Sequence, residues 1–272
     1  MVRIKRMLII FVATTVLAAC SALPQAVFDQ SESTPTAIRG TDEVDAALPQ
    51  ETPPGDRALK WSVVARAFIE ESEHPPYEVD ICWPNLEGNP DLAAVFNTEI
   101  DRRVNEAVSF FRADVSALGD ASGTSPKSFF NLEYTVTFNE GGLVSLYLMF
   151  DTYIALSAHP LPSSWSLNYD LAGGRFLTLA DLFAPEGDFL AVVLDWVESD
   201  LLSRDLGYTP GTAAGVLEAR DHWNLLPEGL RINFDVYEVG PYAAGYQYIL
   251  IPWENLAPYL NPDVLLSVFA QP

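Results

Sequence analysis

The chain has 272 residues, 49% of them hydrophobic, and carries 37 Asp or Glu against 15 Lys or Arg, a formal charge of −22. A chain of this length can bury a sizeable core. Its acidity disfavours nucleic acid and anionic lipid as partners, because both carry the same sign of charge. The same charge would attract cationic proteins, or it serves solubility alone.

The N-terminus has the layout of a secretory signal. Basic residues at positions 3–6 precede a short apolar run, and Leu17-Ala18-Ala19 lies directly before Cys20. A basic start, an apolar run and small residues at the cleavage point are typical of such signals, and the run is shorter than the roughly 20 residues that a membrane span needs. The Leu-Ala-Ala-Cys sequence resembles the lipobox of bacterial lipoproteins. The resemblance implies that residues 1–19 are removed and that Cys20 receives a diacylglycerol with fatty acids such as palmitate; an uncleaved anchor is the alternative.

The remaining chain is predicted to consist of a flexible tether, residues 20–57, and one domain, residues 58–272. The tether is rich in Ser, Thr, Pro and Glu and has no apolar period, so it cannot bury enough surface to fold. Three of the basic residues lie in the predicted signal, so the formal charge without the signal is −25. We expect an extracytoplasmic protein held by its lipid on the cell membrane, or on the outer membrane if the host has one.

The domain is predicted to begin with strands at 60–70 and Tyr77–Trp83, the second of which contains Cys82. Asn89-Pro90-Asp91 then predicts the start of a helix, because asparagine caps the N-terminus, proline fits the first turn and an acid complements the helix dipole. Apolar residues from Leu92 to Phe111 follow at helical spacing.

Alternating side chains predict two hairpins in the rest of the chain. The first joins Phe130–Asn139 to Leu143–Tyr153, whose two apolar faces indicate a central or helix-covered strand. The other predicted elements are a strand at 164–171, a helix at 188–206, a loop at 207–221, the second hairpin at 222–237, a strand at 246–251 and a short helix near Trp253. The fold class is therefore α+β: a mostly antiparallel sheet of hairpins packed by two main amphipathic helices.

Several segments resemble one family of extracytoplasmic domains. Phe234–Gly245 and Ile251–Leu256 are similar to the C-terminal hallmark of the RsiV-type domain, which occurs in the RsiV anti-sigma factor, in PdaC-type peptidoglycan deacetylases and in many lipoproteins. Earlier parts of the family pattern are matched, in order, by segments Leu143–Leu146, Ala158–Pro160, Asn168–Leu171 and Leu177–Phe183. The resemblance extends from position 77 to position 260.

The resemblance implies an α+β domain that binds a ligand rather than cleaving it. In the RsiV anti-sigma factor this domain binds lysozyme, a strongly basic enzyme, and in the deacetylases it accompanies a separate catalytic domain. We therefore expect a binding module of the cell envelope, whose partner is a basic protein such as lysozyme or a peptidoglycan fragment. The alternative is an envelope polysaccharide or peptidoglycan hydrolase that uses paired carboxylates.

No motif assigns a chemical activity to the chain. The three histidines, His74, His159 and His222, are scattered without zinc-ligand spacing, and no nucleophile elbow, phosphate loop or calcium-loop pattern occurs. We predict no catalytic residue, cofactor or metal, although the hydrolase alternative stays open. His159, before a proline, belongs either to a structural turn or to a site.

The candidate partner-binding residues are Tyr237, Glu238 and Tyr242. They belong to a turn-rich segment with two more tyrosines, Tyr246 and Tyr248, and tyrosine is common in recognition surfaces because it combines apolar area with a polar tip. The competing interpretation is that these tyrosines pack the sheet while the glycines between them turn the chain.

Overall fold

The computed structural model describes residues 61–119 and 126–262. The predicted signal, Cys20 and the tether lie outside these residues. Within the two described ranges, no helix is both long enough and apolar enough to span a membrane.

The larger of two sheets contains six strands, which lie in chain order from one edge to the other. Neighbouring strands run antiparallel, except that β2 and β3 are parallel and need a crossover connection. The six strands are β1 (Ser62–Glu73), β2 (Pro76–Glu87), β3 (Ser128–Glu140), β4 (Leu143–Tyr153), β5 (Leu161–Asp170) and β6 (Arg175–Phe176).

The crossover contains helix α1 (Pro90–Leu118), which begins as predicted. The side chain of Asn89 accepts a hydrogen bond from the amide of Asp91, and Pro90 occupies the first turn. Apolar side chains at helical spacing, among them Phe96, Ile100 and Val104, pack against β2–β5 in a first core. α1 therefore covers one face of the larger sheet.

β4 is buried on both faces, as its composition predicts. Val144, Leu146 and Leu148 point into the first core beneath α1. Ser145 and Tyr147 alternate to the opposite face and are buried there by the second sheet.

The alternation of β3 predicts that Phe130 to Phe138 lie on one face, and this prediction is wrong at its end. Phe130 and Leu132 pack in the first core, whereas Phe138 packs in the second core on the other side of the sheet. The pairing register shifts between Val136 and Phe138, and a bulge of this kind changes the face that the following side chains occupy.

The second sheet and three helices form the second core on that opposite face. The sheet is an antiparallel meander of β7 (Trp223–Leu226), β8 (Gly229–Phe234) and β9 (Gln247–Pro252). The helices are α2 (Phe189–Ser203), α3 (Thr212–Ala219) and α4 (Trp253–Leu256). β7 contacts β3, β4 and β5, so the fold is mixed α+β with two sheets in contact, and the predicted class is confirmed.

Three local expectations are wrong. The 207–221 segment contains α3, whose Ala213 and Leu217 are buried in the second core, so packing stabilises a helix too short to be evident from its pattern. The apolar spacing of the 188–206 helix predicts that Leu202 lies on its buried face with Leu201, but Leu202 is exposed. β8 ends at Phe234, and the residues that follow turn away from the sheet.

Candidate functional site

Two bulky apolar side chains occupy strained backbone positions in two turns of similar geometry. In turn A (Ile154–Ser157), the amide of residue 157 donates a hydrogen bond to the carbonyl of residue 154. In turn B (Asp235–Glu238), the amide of residue 238 donates to the carbonyl of residue 235. The third residue of each has a positive φ, +74° at Leu156 and +71° at Tyr237. This conformation favours glycine, so a bulky residue there stores strain.

Both strained side chains point outwards. Leu156 is 61% exposed and Tyr237 is 57% exposed, so neither gains much from burial in return for its backbone strain. Within the described residues, these two are the non-glycine positions with positive φ. Strained positions of this kind cluster at functional sites, and both belong to loops that meet at His159.

His159, Tyr237 and Tyr242 form an aromatic patch on the surface. Nε2 of His159 lies 3.2 Å from the hydroxyl of Tyr237, and its ring centroid lies 4.2 Å from that of Tyr242. The Tyr242 hydroxyl donates to the carbonyl of Pro160 at 3.0 Å, which ties the two loops together. Two of the three predicted binding residues, Tyr237 and Tyr242, thus come together with the candidate histidine.

The third predicted residue, Glu238, points away from the patch into a buried polar cluster. Its Oε2 accepts from the backbone amide of Asp235 at 2.7 Å and lies 3.5 Å from Nδ1 of His222. Asp235 accepts two hydrogen bonds from Ser164, from its hydroxyl at 2.6 Å and its amide at 3.1 Å. Arg220 approaches both carboxylates from outside, at 3.5 and 3.6 Å.

The two carboxyls of this cluster have opposite pKa shifts. Burial raises the pKa of Asp235 above its ordinary value, although the hydrogen bonds from Ser164 oppose the shift. Burial also acts to raise the pKa of Glu238, but His222 and the Asp235 amide outweigh it, so this pKa lies below its ordinary value. Glu238 is therefore the stronger acid of the pair.

His222, Asp235 and Glu238 are the side chains in the described part of the chain whose ligand atoms converge sufficiently to hold a metal ion. One ligand atom from each lies within 4.8 Å of the others. Nδ1 of His222 is buried without a hydrogen-bond partner, and sequence spacing does not indicate the group, because 12 residues separate His222 from Asp235.

A network of buried amides and hydroxyls joins the two sheets beneath the site. Nδ2 of Asn224 donates to Oγ of Ser145 and to the carbonyl of Leu146, each at 2.9 Å. Nδ2 of Asn233 donates to Oγ of Ser166 and to Oδ1 of Asn224, each at 2.8 Å. These hydrogen bonds are directional and favour one arrangement of the two sheets, although Oδ1 of Asn233 is buried without a partner.

The other two tyrosines of the segment make packing contacts with the larger sheet and with Arg231. Tyr246 donates to the carbonyl of Ser163 at 3.0 Å, and burial raises its pKa above the ordinary value. The ring of Tyr248 packs edge-on against Tyr147, and the guanidinium of Arg231 lies 4.7 and 4.9 Å from the centroids of the two rings. Tyr246 is thus a packing residue, whereas Tyr248 packs on one side and remains 37% exposed, outside the aromatic patch.

Residues 180–254 match the model of a family described as proteins of unknown function, DUF3298. The matched segment contains α2, α3, the second sheet and turn B. No curated protein is significantly similar to the chain.

Two solved structures share the fold. A DUF3298 family member from Bacteroides fragilis has a TM-score of 0.55 and 19% identity, over 78% of this chain and 98% of that chain. A DUF3298 family protein from Pseudomonas aeruginosa has a TM-score of 0.52 and 18% identity, over 76% of this chain and 97% of that chain. Both similarities therefore extend beyond the segment that matches the family model.

Proposed function

We propose that this protein is a lipid-anchored binding module of the cell envelope that uses its aromatic patch to bind a basic protein such as lysozyme. The observation that carries the proposal is that Leu156 in turn A and Tyr237 in turn B combine a strained backbone with an exposed side chain. A fold that needed only to turn the chain would use glycine at these positions. Retaining a leucine and a tyrosine there favours a role for their exposed surfaces.

The composition of the patch supports a protein partner. Tyrosine supplies a large contact area at low conformational entropy cost and is enriched at interfaces. The formal charge of −22 supports a cationic partner, because long-range attraction raises the rate of encounter. The RsiV-type resemblance adds a basic enzyme as the partner class. A peptidoglycan fragment, which tyrosines could also contact, is the competing ligand.

The hydrolase alternative has less support from the described residues. It requires two carboxylates that flank an open cleft. Asp235 and Glu238 are a close pair, but the side chain of Asp235 is only 7% exposed and that of Glu238 only 16%. Both are also engaged in hydrogen bonds that fix turn B.

Binding is tested by titrating the purified protein with lysozyme, with cytochrome c as an equally basic control, and with a muropeptide. We expect selective binding of lysozyme that persists near physiological ionic strength, where the Debye length is about 8 Å. Tyr242→Ala should weaken it at least tenfold, whereas Tyr259→Ala, which removes an exposed tyrosine outside the patch, should not. Equal binding of both basic proteins that disappears with salt would refute the proposal, and so would selective binding of the muropeptide alone.

The anchor is tested by metabolic labelling with a fatty-acid analogue. The wild-type protein should be labelled and recovered with membranes, because several acyl chains hold a protein firmly where one does not. Cys20→Ala should remove the label. Equal labelling of the variant would exclude this cysteine as the acylated residue.

A further inference from the structure

We propose that His222, Asp235 and Glu238 form a binding site for one divalent transition-metal ion of the zinc class. The site goes beyond the proposed binding function, since it lies beneath the aromatic patch and not on it. An imidazole with two carboxylates is a donor set that zinc accepts, with a water as the fourth ligand.

The spacing of the ligand atoms fits such an ion. With metal–ligand bonds of about 2.1 Å, two tetrahedral ligands lie about 3.4 Å apart. Nδ1 of His222 and Oε2 of Glu238 lie 3.5 Å apart, and all three ligand atoms lie within 4.8 Å of one another. Coordination therefore requires the three atoms to approach one another by at most about 1.4 Å.

The second observation is the unsatisfied nitrogen of His222. The residue is only 4% exposed, and its Nδ1 is buried without a hydrogen-bond partner while it faces Glu238. A buried polar atom without a partner is costly. Coordination of a metal ion by this nitrogen removes the cost.

Hydrogen bonds from neighbouring groups hold the two carboxylates of the proposed site in position. The hydroxyl and amide of Ser164 orient Asp235, and the amide of Asp235 orients Glu238. Such outer contacts fix metal ligands in position. Two carboxylates face one guanidinium, that of Arg220, whose side chain is 54% exposed and lies 3.5 and 3.6 Å from them. The guanidinium can move into solvent when a dication enters.

The direct test is zinc binding to purified, tag-free protein from which metals have been removed. Calorimetry with a competing chelator should give one zinc per chain, and cobalt should give the visible absorption of a four-coordinate site. Glu238→Gln should weaken binding at least tenfold, because it removes the charged ligand but keeps a carbonyl acceptor for the Asp235 amide. The matched controls are Glu228→Gln and His74→Gln, which change an exposed acid and an exposed histidine elsewhere and should bind as the wild type does.

Arg220→Ala separates the metal site from a simple charge network. Removing the competing cation should tighten zinc binding severalfold, and unchanged or weaker binding would contradict the placement of the ion. If Glu238→Gln fails to fold, X-ray absorption of the zinc-loaded wild type decides. A shell that contains one imidazole supports the site. An all-oxygen shell, or no stoichiometric binding, overturns it. These readouts do not depend on lysozyme, so the site and the proposed function can fail separately.

Discussion

Turn B gives the sharpest prediction, because glycine should be more stable than alanine at position 237. At most positions the order of stability is the reverse. Tyr237→Gly and Tyr237→Ala both remove the exposed ring and its contact with His159, so these losses cancel in the comparison. What remains is the backbone. Residue 237 has a φ of +71°, which glycine adopts freely and alanine does not.

The magnitude follows from two opposing terms. A left-handed conformation costs a residue with a Cβ atom about 1–2 kcal/mol, whereas glycine costs about 0.4–1 kcal/mol through the greater freedom of its unfolded chain. We therefore expect Tyr237→Gly to be more stable than Tyr237→Ala by about 0.5–1 kcal/mol. For a domain of this size that difference corresponds to roughly 1–4 °C in Tm.

The assay is urea unfolding of both variants, with Tyr242 as the matched control. Tyr242 begins a short 3-10 helix and lies in the same patch, but its φ is not positive. There, Tyr242→Ala should be more stable than Tyr242→Gly by about 0.5–1 kcal/mol, which is the ordinary order. If alanine is more stable than glycine at position 237 by the same margin as at position 242, the strain inferred at turn B is absent.

Gly229→Ala should destabilise the fold by about 1–3 kcal/mol through overpacking, because its new Cβ would lie 2.4 Å from the carbonyl oxygen of Ile251. Gly215→Ala, in α3 with open space around it, should instead stabilise by up to about 1 kcal/mol, and urea unfolding that gives the reverse order would contradict this placement of β8. The hydrogen bond from Arg102 is the main cause that lowers the pKa of Glu99 from 4.5 to about 2, so its contribution to stability is present above pH 4.5 and lost as the pH falls towards 2. Because the pair lies on the surface, the contribution should be below about 1 kcal/mol. When Tm is measured as the pH falls from 4.5 to 2, Glu99→Gln should lose less stability than the wild type. Parallel curves of Tm against pH would refute this role of Glu99.

Elements whose signals are local could be predicted from the sequence. The cap at Asn89 and the helical spacing after it are properties of neighbouring residues, and the turn that ends β3 is likewise set by adjacent glycines. α3 could not be predicted in this way, because eight residues with little periodicity become helical through burial of Ala213 and Leu217 against another layer. The bulge that moves Phe138 into the second core could not be predicted either, because the alternation of apolar and polar residues along β3 continues through it unchanged.

The two tyrosines of the candidate site could be predicted from the sequence, but the residues that they contact could not. Tyr237 and Tyr242 belong to one segment, whereas His159 joins them across 78 residues through a contact between loops. His222 approaches Asp235 because β7 pairs with β8, where the amide of Asn233 donates to the carbonyl of His222 at 2.8 Å. Such proximity depends on strand register, which turn geometry and burial fix in the folded protein.

The strain at Tyr237 persists because both ends of turn B are anchored. At one end, Asp235 is bound through its side chain to Ser164 in the larger sheet; at the other, the carboxylate of Glu238 returns to the Asp235 amide. A strained backbone conformation persists only where the surrounding contacts stabilise it by more than the strain costs. Here they fix it around an exposed ring, although glycine would relieve the strain with little loss of burial. We infer that the surface contributed by this ring, rather than the stability of the turn, is the reason for a tyrosine at this position.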